Sequence, residues 1–184
     1  MTALAITTLS FLQKSNPTIA QILVKFKKEL GQDYTPYLNH AKRVYEYALV
    51  LLLQKEGKKL GIASAFHDLD IWVSHKLDYL DGSANMARDY IKQKNLDLLP
   101  DEIAFIINNH HKFRRIKGNV EAEAFRKADL VDLTSGLIHY NIPISIISET
   151  EHRFPRLGFT SLITKKVVRW AITHPFRPFP MLKW

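Results

Sequence analysis

Residues 64–72 read SAFHDLDIW, and this stretch is the first guide to the fold. Most of its side chains are those of a buried helix, yet His67 and Asp68 stand side by side within it and Asp70 follows. Burying a carboxylate without a partner is costly in free energy. We therefore expect a helix in the protein core whose polar side chains meet partners from other helices.

Helix signals recur on both sides of this stretch. Prolines that follow capping residues favour helix starts, and glycines favour helix ends. Ser15 or Asn16 should cap the first helix, Thr35 the second and Ser83 the fourth. An apolar stripe typical of a helix face marks the second helix. The predicted helices cover roughly residues 17–30, 36–56, 60–70, 83–94, 100–111, 120–135, 144–152 and 160–174.

The fold class predicted from this pattern is all-α, a single globular helical bundle. Sustained apolar–polar alternation typical of strands is absent from the sequence. Residues 72–82 are expected to form a long structured loop, and the Pro-rich end of the chain an extended tail. We expect one domain over residues 1–184, with the C-terminal helix and tail at 144–184.

Composition narrows the classes of protein. The 184 residues are 46% hydrophobic and 24% charged, as in ordinary globular proteins. The absence of cysteine excludes disulfides, cysteine zinc sites and thiol nucleophiles. No apolar run reaches the ~18 residues of a membrane span, and no secretory leader is recognisable. These features favour a cytoplasmic protein with no membrane partner.

The formal net charge is +8, and residues 151–184 alone carry +6. A basic balance favours anionic partners such as phosphates, nucleotides or nucleic acid. A solvated basic surface without a specific partner is an equally good interpretation. Charge alone does not choose between them.

Histidines and aspartates recur on the predicted helices in an order that indicates a metal site. His40 lies on the second helix, and His67-Asp68 follow on the third. His110-His111 end a later helix, and Asp129 lies on the next one, with Asp132 as a competitor one turn on. Imidazole and carboxylate groups from several helices can hold a divalent ion in a bundle core. The alternative is a set of hydrogen-bonded core residues without an ion.

The order His40, His67-Asp68, Asp129 resembles the HD superfamily of metal-dependent phosphohydrolases. The resemblance covers roughly residues 34–136. It implies a bundle of the HD-domain type in which these four residues bind a divalent metal. In members that hold two ions, further histidines occur between the HD pair and the last aspartate, and His110 and His111 fall in that interval.

The chain departs from the HD pattern at two positions. Many members have glycine where this chain has Asp70, and others have a catalytic glutamate where it has Ile71. The catalytic acid or base therefore does not follow from the resemblance. Our candidates for catalytic residues are Asp68, which could orient the attacking water, Asp78 near the mouth of the site, and His111.

The basic run after the histidine pair is the candidate for phosphate recognition. Lys112, Arg114 and Arg115 lie just beyond His111, and arginine suits bidentate phosphate contacts. The alternative is a solvated loop.

The resemblance implies hydrolysis of a small phosphorylated molecule, such as a nucleotide, with one or two ions of Mn, Fe, Zn, Ni or Mg. Nucleic acid is a less favoured substrate. Two other functions stay open, a non-catalytic module that binds metal or nucleotide, and an HD-type enzyme with hydratase or oxygenase chemistry.

Overall fold

The computed structural model describes residues 17–54 and 57–182, which form helices joined by turns, with no strand among them. This confirms the all-α prediction. Two 3-10 helices, Val24–Phe26 and Gly31–Asp33, interrupt the series near its start. The α-helices are α1 (Pro17–Leu23), α2 (Lys27–Leu30), α3 (Tyr34–Leu52), α4 (Lys58–Phe66), α5 (Asp70–Val73), α6 (Leu80–Gln93), α7 (Pro100–Asn109), α8 (Val120–Leu133), α9 (Ile144–Arg153) and α10 (Phe159–Thr173).

Helix α3 forms the centre of the fold. It packs along α8 and also contacts α1, α4, α9 and α10. Ala41, Val44 and Ala48 of its predicted apolar stripe are fully buried. Burial of this stripe favours the fold by removing apolar surface from water. Helices α6 and α7 pack against each other as a pair.

The helix predicted over residues 60–70 is broken by a turn at His67–Leu69, so α4 and α5 are separate. The Asp68 N–H donates to the hydroxyl of Tyr37 at 3.3 Å instead of continuing the helix. The Leu69 N–H donates three residues back to Phe66 at 3.0 Å. This tightened turn places the side chains of His67 and Asp68 toward the same region of the core.

Several predicted helix ends were wrong. Helix α6 begins at Leu80, before the predicted cap Ser83, whose hydroxyl accepts a hydrogen bond from the Asp70 N–H at 3.2 Å. Helix α3 begins at Tyr34 and has no side-chain cap from Thr35. The predicted loop 72–82 shortens to residues 74–79 because α5 and α6 extend into it. The first helix's predicted cap, Ser15 or Asn16, lies outside the described residues.

The Pro-rich end also differs from the prediction. Residues 174–182 form bends and turns rather than an extended tail. Met181 is buried and joins the hydrophobic core. Within the part of the chain that the structure describes, no helix combines the length and apolarity needed to cross a membrane.

Candidate metal centre

Five of the six predicted metal ligands converge in the core where α3, α4, α7 and α8 meet. His40 comes from α3 and Asp129 from α8, while His67-Asp68 occupy the turn after α4 and His110 directly follows α7. All five are at least 96% buried. The closest contacts join His40 Nε2 to His67 Nε2 at 2.9 Å, His110 Nε2 to Asp68 Oδ1 at 3.3 Å, and His40 Nε2 to Asp129 Oδ1 at 3.6 Å.

Each of the three buried histidines is anchored through Nδ1. The oxygens that hold these nitrogens can only accept a hydrogen bond, so each Nδ1 carries the proton. A neutral imidazole then presents a bare lone pair at Nε2. The anchoring oxygens are Oδ2 of Asp132 for His40 (2.7 Å), the Ser64 carbonyl for His67 (2.9 Å) and the Ile107 carbonyl for His110 (2.6 Å).

When the three imidazoles are neutral, the lone pairs of this cluster face one another without a proton between them. Among residues 17–54 and 57–182, Asp68 Oδ1, Asp129 Oδ1 and His110 Nε2 are buried and have no hydrogen-bond partner. Buried acceptors without a donor are rare and costly in free energy. A cation in the space they share would satisfy all of them, so the donor set fits a divalent ion.

The ligand atoms fall into three overlapping groups, each spanning less than 4.8 Å. Because neighbouring groups share residues, the arrangement could hold one ion or two adjacent ions. Carboxylate and imidazole ligands together suit Mn, Fe, Ni or Zn. The groups are His40, His67 and Asp129; His67, Asp68 and His110; and His110, His111 and Asp129.

Asp132 lies one turn beyond Asp129 on α8, and it holds His40 through Nδ1, the ring nitrogen that does not face the cluster. Besides His40, it accepts hydrogen bonds from Arg43 Nε at 2.6 Å and Nη2 at 3.0 Å. Burial raises the pKa of Asp132, but the hydrogen bonds from His40 and Arg43 outweigh it and hold that pKa well below its usual range. Asp132 therefore stays ionised and orients His40, as outer-shell carboxylates do for metal-binding histidines.

Burial sets the protonation of the cluster itself. It lowers the pKa of His67 to about 3 and raises the pKa of Asp129 to about 7. Burial also opposes the charged form of His110, but the negative charge of Asp68, whose Oδ1 lies 3.3 Å from His110 Nε2, raises the pKa of His110 overall. Without a cation, protons therefore bind within the cluster near neutral pH.

His111, the sixth predicted ligand, lies at the outer edge of the centre. Its side chain is 17% exposed, and its Nδ1 is 3.8 Å from Oδ2 of Asp129. Its Nε2 is hydrogen-bonded to the hydroxyl of Tyr79 at 2.7 Å. Tyr79 was not among the predicted site residues, because it lies in the stretch 72–82 that was predicted to be a loop.

The other candidates lie away from the cluster's ligand atoms. Asp78 is half-exposed and paired with Arg177 at 3.1 Å. Arg114 is exposed, and Arg115 lines a separate cavity of about 500 Å³ bounded by the far ends of α3 and α8. Lys112 is half-buried and directly follows His111, which makes it the basic residue nearest to the centre along the chain.

Asp70, where the sequence departs from the HD pattern, packs against another element. Its carboxylate lies so close to Gly82 in the first turn of α6 that a Cβ at Gly82 would be 2.0 Å from Oδ2. A carboxylate beside the first turn of a helix is stabilised by the helix dipole. The structure thus places Asp70 in helix packing rather than among the cluster's ligand atoms.

Comparisons with known proteins do not assign the chain to a family. No family model matches the sequence, and no similar chain is found among curated proteins or solved structures.

Proposed function

We propose that this protein is a metal-dependent hydrolase of phosphate esters that acts on a small phosphorylated molecule such as a nucleotide. The observation that carries the proposal is the pair of opposed Nε2 lone pairs of His40 and His67, 2.9 Å apart, beside two buried carboxylates. A divalent cation explains this arrangement better than any set of neutral core residues. The order of the ligands along the chain, which resembles the HD superfamily, supports the same chemistry.

We assign roles to the residues of the metal centre from their positions in it. His40, His67 and Asp129 are deeply buried and would hold the ion, with Asp132 keeping His40 in position. A divalent ion here would supply Lewis acidity toward a phosphoryl oxygen and toward water.

Asp68 and His111 would contact the attacking water and the substrate. The carboxylate of Asp68 lies 3.6 Å from His67 Nε2 and 3.3 Å from His110 Nε2, so it could accept a hydrogen bond from the attacking water beside these ligands. His111, at the exposed edge, lies where a phosphate would enter, with Lys112 beside it to neutralise charge. We propose that the protein acts in the cytoplasm.

A non-catalytic module that binds metal or nucleotide is the second candidate. It is favoured by the positions of three residues. Asp70 packs against Gly82, Ile71 is buried where some HD enzymes carry a catalytic glutamate, and Asp78 is paired with Arg177. None of these side chains supplies a general base to the cluster, so this candidate predicts tight binding without turnover.

The first experiment measures bound metal and turnover. Protein stripped with a chelator is reloaded with Mn²⁺, Mg²⁺, Ni²⁺, Co²⁺ or Fe²⁺, and the bound ion is counted by elemental analysis. Phosphatase activity is then assayed on a panel of phosphorylated metabolites. The proposal expects at least one ion per chain and turnover that Asp68→Ala abolishes.

The matched control is Asp101→Asn, which alters an exposed carboxylate paired with Arg88. Such surface pairs contribute little free energy, so this variant should retain both metal and activity. Failure of the stripped protein to bind any divalent ion would overturn the proposal. Metal binding without turnover would favour the binding module, and bound iron with oxygen uptake would favour oxygenase chemistry.

A further inference from the structure

A cavity of about 380 Å³ lies between α10 and the segment formed by α5 and its following loop. None of its lining residues belongs to the candidate metal centre. Each side contributes apolar and cationic side chains. Ile71, Leu77 and Trp170 supply apolar surface, and Lys76, Lys166 and Arg169 supply three cations.

The three cations have no counter-ion among the described residues. Within the described part of the chain, no carboxylate lies within ion-pair distance of Lys76, Lys166 or Arg169. The acidic side chain next to Leu77, Asp78, is already paired with Arg177 at 3.1 Å. Like charges gathered at one cavity repel each other, and an anion bound between them relieves that repulsion.

Trp170 offers the cavity a fixed aromatic surface. The ring of His174 stacks on Trp170 with centroids 3.7 Å apart and an angle of 7° between the planes. The Trp170 Nε1–H also donates to the Arg177 carbonyl at 3.2 Å. A preorganised indole loses little entropy when a flat ring packs against it, and aromatic rings stack favourably on bases of any identity.

We propose that this cavity is a second binding site, which takes a phosphorylated ring compound of the size of a nucleoside monophosphate. The phosphate would bind among Lys76, Lys166 and Arg169, and the ring would pack against Trp170. The volume is near the lower end of the range for small-molecule pockets, ~300–1,000 Å³, and it is too small for an oligonucleotide.

The site is separated from the metal centre by a layer of aromatic side chains. Lys166 Nζ lies 5.4 Å from the centroid of the Trp72 ring. The Trp72 ring is 4.9 Å from that of Tyr37, which in turn stacks on His67 at 6.1 Å. A ligand that moves Lys166 therefore acts on Trp72 through direct contact, and both Trp72 and Trp170 can report its binding.

The test uses the full chain stripped of metal and kept in chelator, so that binding at the metal centre does not contribute. AMP, adenosine and inorganic phosphate are each titrated, with tryptophan fluorescence and calorimetry as readouts. We expect saturable binding of AMP that is tighter than that of either part alone. Lys166→Gln and Arg169→Gln should each weaken AMP binding by about tenfold, the usual cost of losing a charged hydrogen bond.

Lys165→Gln is the matched control, since Lys165 is the exposed neighbour of Lys166 on α10 and does not line the cavity. It should leave AMP binding unchanged. The proposal is overturned by the absence of saturable AMP binding, or by equal weakening in all three variants. Phosphate that binds as tightly as AMP would overturn the role of Trp170. None of these outcomes depends on whether the protein hydrolyses phosphate esters.

Discussion

The Nε2 atoms of His40 and His67 lie 2.9 Å apart, and in the neutral imidazoles neither carries a proton. Asp132 and the Ser64 carbonyl hold the protons of both rings on Nδ1, so the two lone pairs oppose each other. The metal-free protein can relieve this opposition only by taking up protons in the cluster. Metal and protons therefore compete for the same buried space, which ties metal affinity to pH.

Metal affinity should rise with pH through the neutral range, because Asp129 and His110 both have raised pKa values and bind protons there. Burial raises the pKa of Asp129 to about 7, so below that pH an incoming ion must displace a proton from it. Displacement of one proton gives about a tenfold gain in affinity per pH unit. His67 adds no slope above pH 5, because burial lowers its pKa to about 3.

Calorimetric titration of Mn²⁺ or Zn²⁺ between pH 5.5 and 8.5, in buffers of different ionisation enthalpy, measures both the affinity and the protons released. We expect release of about one to two protons near pH 6, from Asp129 and His110, and fewer at pH 8.5. An affinity that stays constant from pH 5.5 to 7 would contradict a protonated carboxyl group in the metal-free centre.

Asp132→Asn should weaken metal binding by about 10–100-fold, the usual effect of losing an outer-shell partner. It removes the charge that holds His40 and that neutralises the fully buried Arg43. Loss of one partner of a buried ion pair also destabilises a fold, by roughly 3–5 kcal/mol. Metal titration and thermal unfolding measure the two effects separately.

Glu46→Gln is the matched control for Asp132→Asn. Glu46, on α3, is also a buried carboxylate, and it accepts hydrogen bonds from Arg153 (2.8 Å to Oε1) and Thr150 (3.2 Å). It contacts none of the ligand atoms of the metal centre. Its loss should lower the unfolding temperature and leave metal affinity unchanged. Equal losses of affinity in both variants would mean that Asp132 acts only through stability.

Asp129 and Asp132 show where sequence reasoning reached its limit. The order of histidines and aspartates predicted which helices contribute to one buried cluster, because charged groups on apolar faces must find partners there. The two aspartates are three residues apart on α8 and share a helix face. Spacing alone therefore could not tell the one in the cluster from the one that holds His40, and the packing of α8 on α3 decides it.

The turn at His67–Leu69 and the position of Tyr79 could not be predicted from the sequence either. The residues around His67 have helical character, and only the long-range hydrogen bond from Asp68 N–H to Tyr37 marks the break. Tyr79 reaches His111 from a loop of six residues, whose path depends on the packing of the flanking helices. Local patterns predict elements well but do not predict contacts between distant segments.

Tyr79→Phe should weaken the binding of a second ion and spare the first. The hydroxyl of Tyr79 holds Nε2 of His111, which keeps Nδ1 directed toward Asp129. Loss of such an orienting contact typically lowers metal affinity about 10-fold or more. Titration of the stripped protein with Mn²⁺, followed by elemental analysis, measures the affinity of each equivalent.

Tyr47→Phe is the control for this substitution. The hydroxyl of Tyr47 is also buried, and it has no hydrogen-bond partner among the described residues. Its removal should change the binding affinity of neither the first nor the second ion. A wild-type stoichiometry of one ion per chain would show that His111 is not a ligand of a second metal.

Asp70 and Gly82 should be coupled in stability. An added Cβ at Gly82 would lie 2.0 Å from Oδ2 and 2.6 Å from Cγ of Asp70, so Gly82→Ala forces the buried carboxylate to move. Such overpacking costs about 1–3 kcal/mol, although alanine in a helix is otherwise favoured over glycine by about 1 kcal/mol. Asp70→Gly removes the obstructing side chain, so Gly82→Ala should cost little or become stabilising in that background.

A double-mutant cycle on the free energy of unfolding tests this, because the direct cost of each single change cancels. We expect a coupling of about 1–3 kcal/mol with metal affinity preserved in every variant, since Asp70 supplies no ligand atom to the candidate metal centre. Additive effects would contradict the contact. If Asp70→Gly instead lowered metal affinity or turnover, the carboxylate would belong to the active site, and its departure from the HD pattern would concern substrate rather than packing.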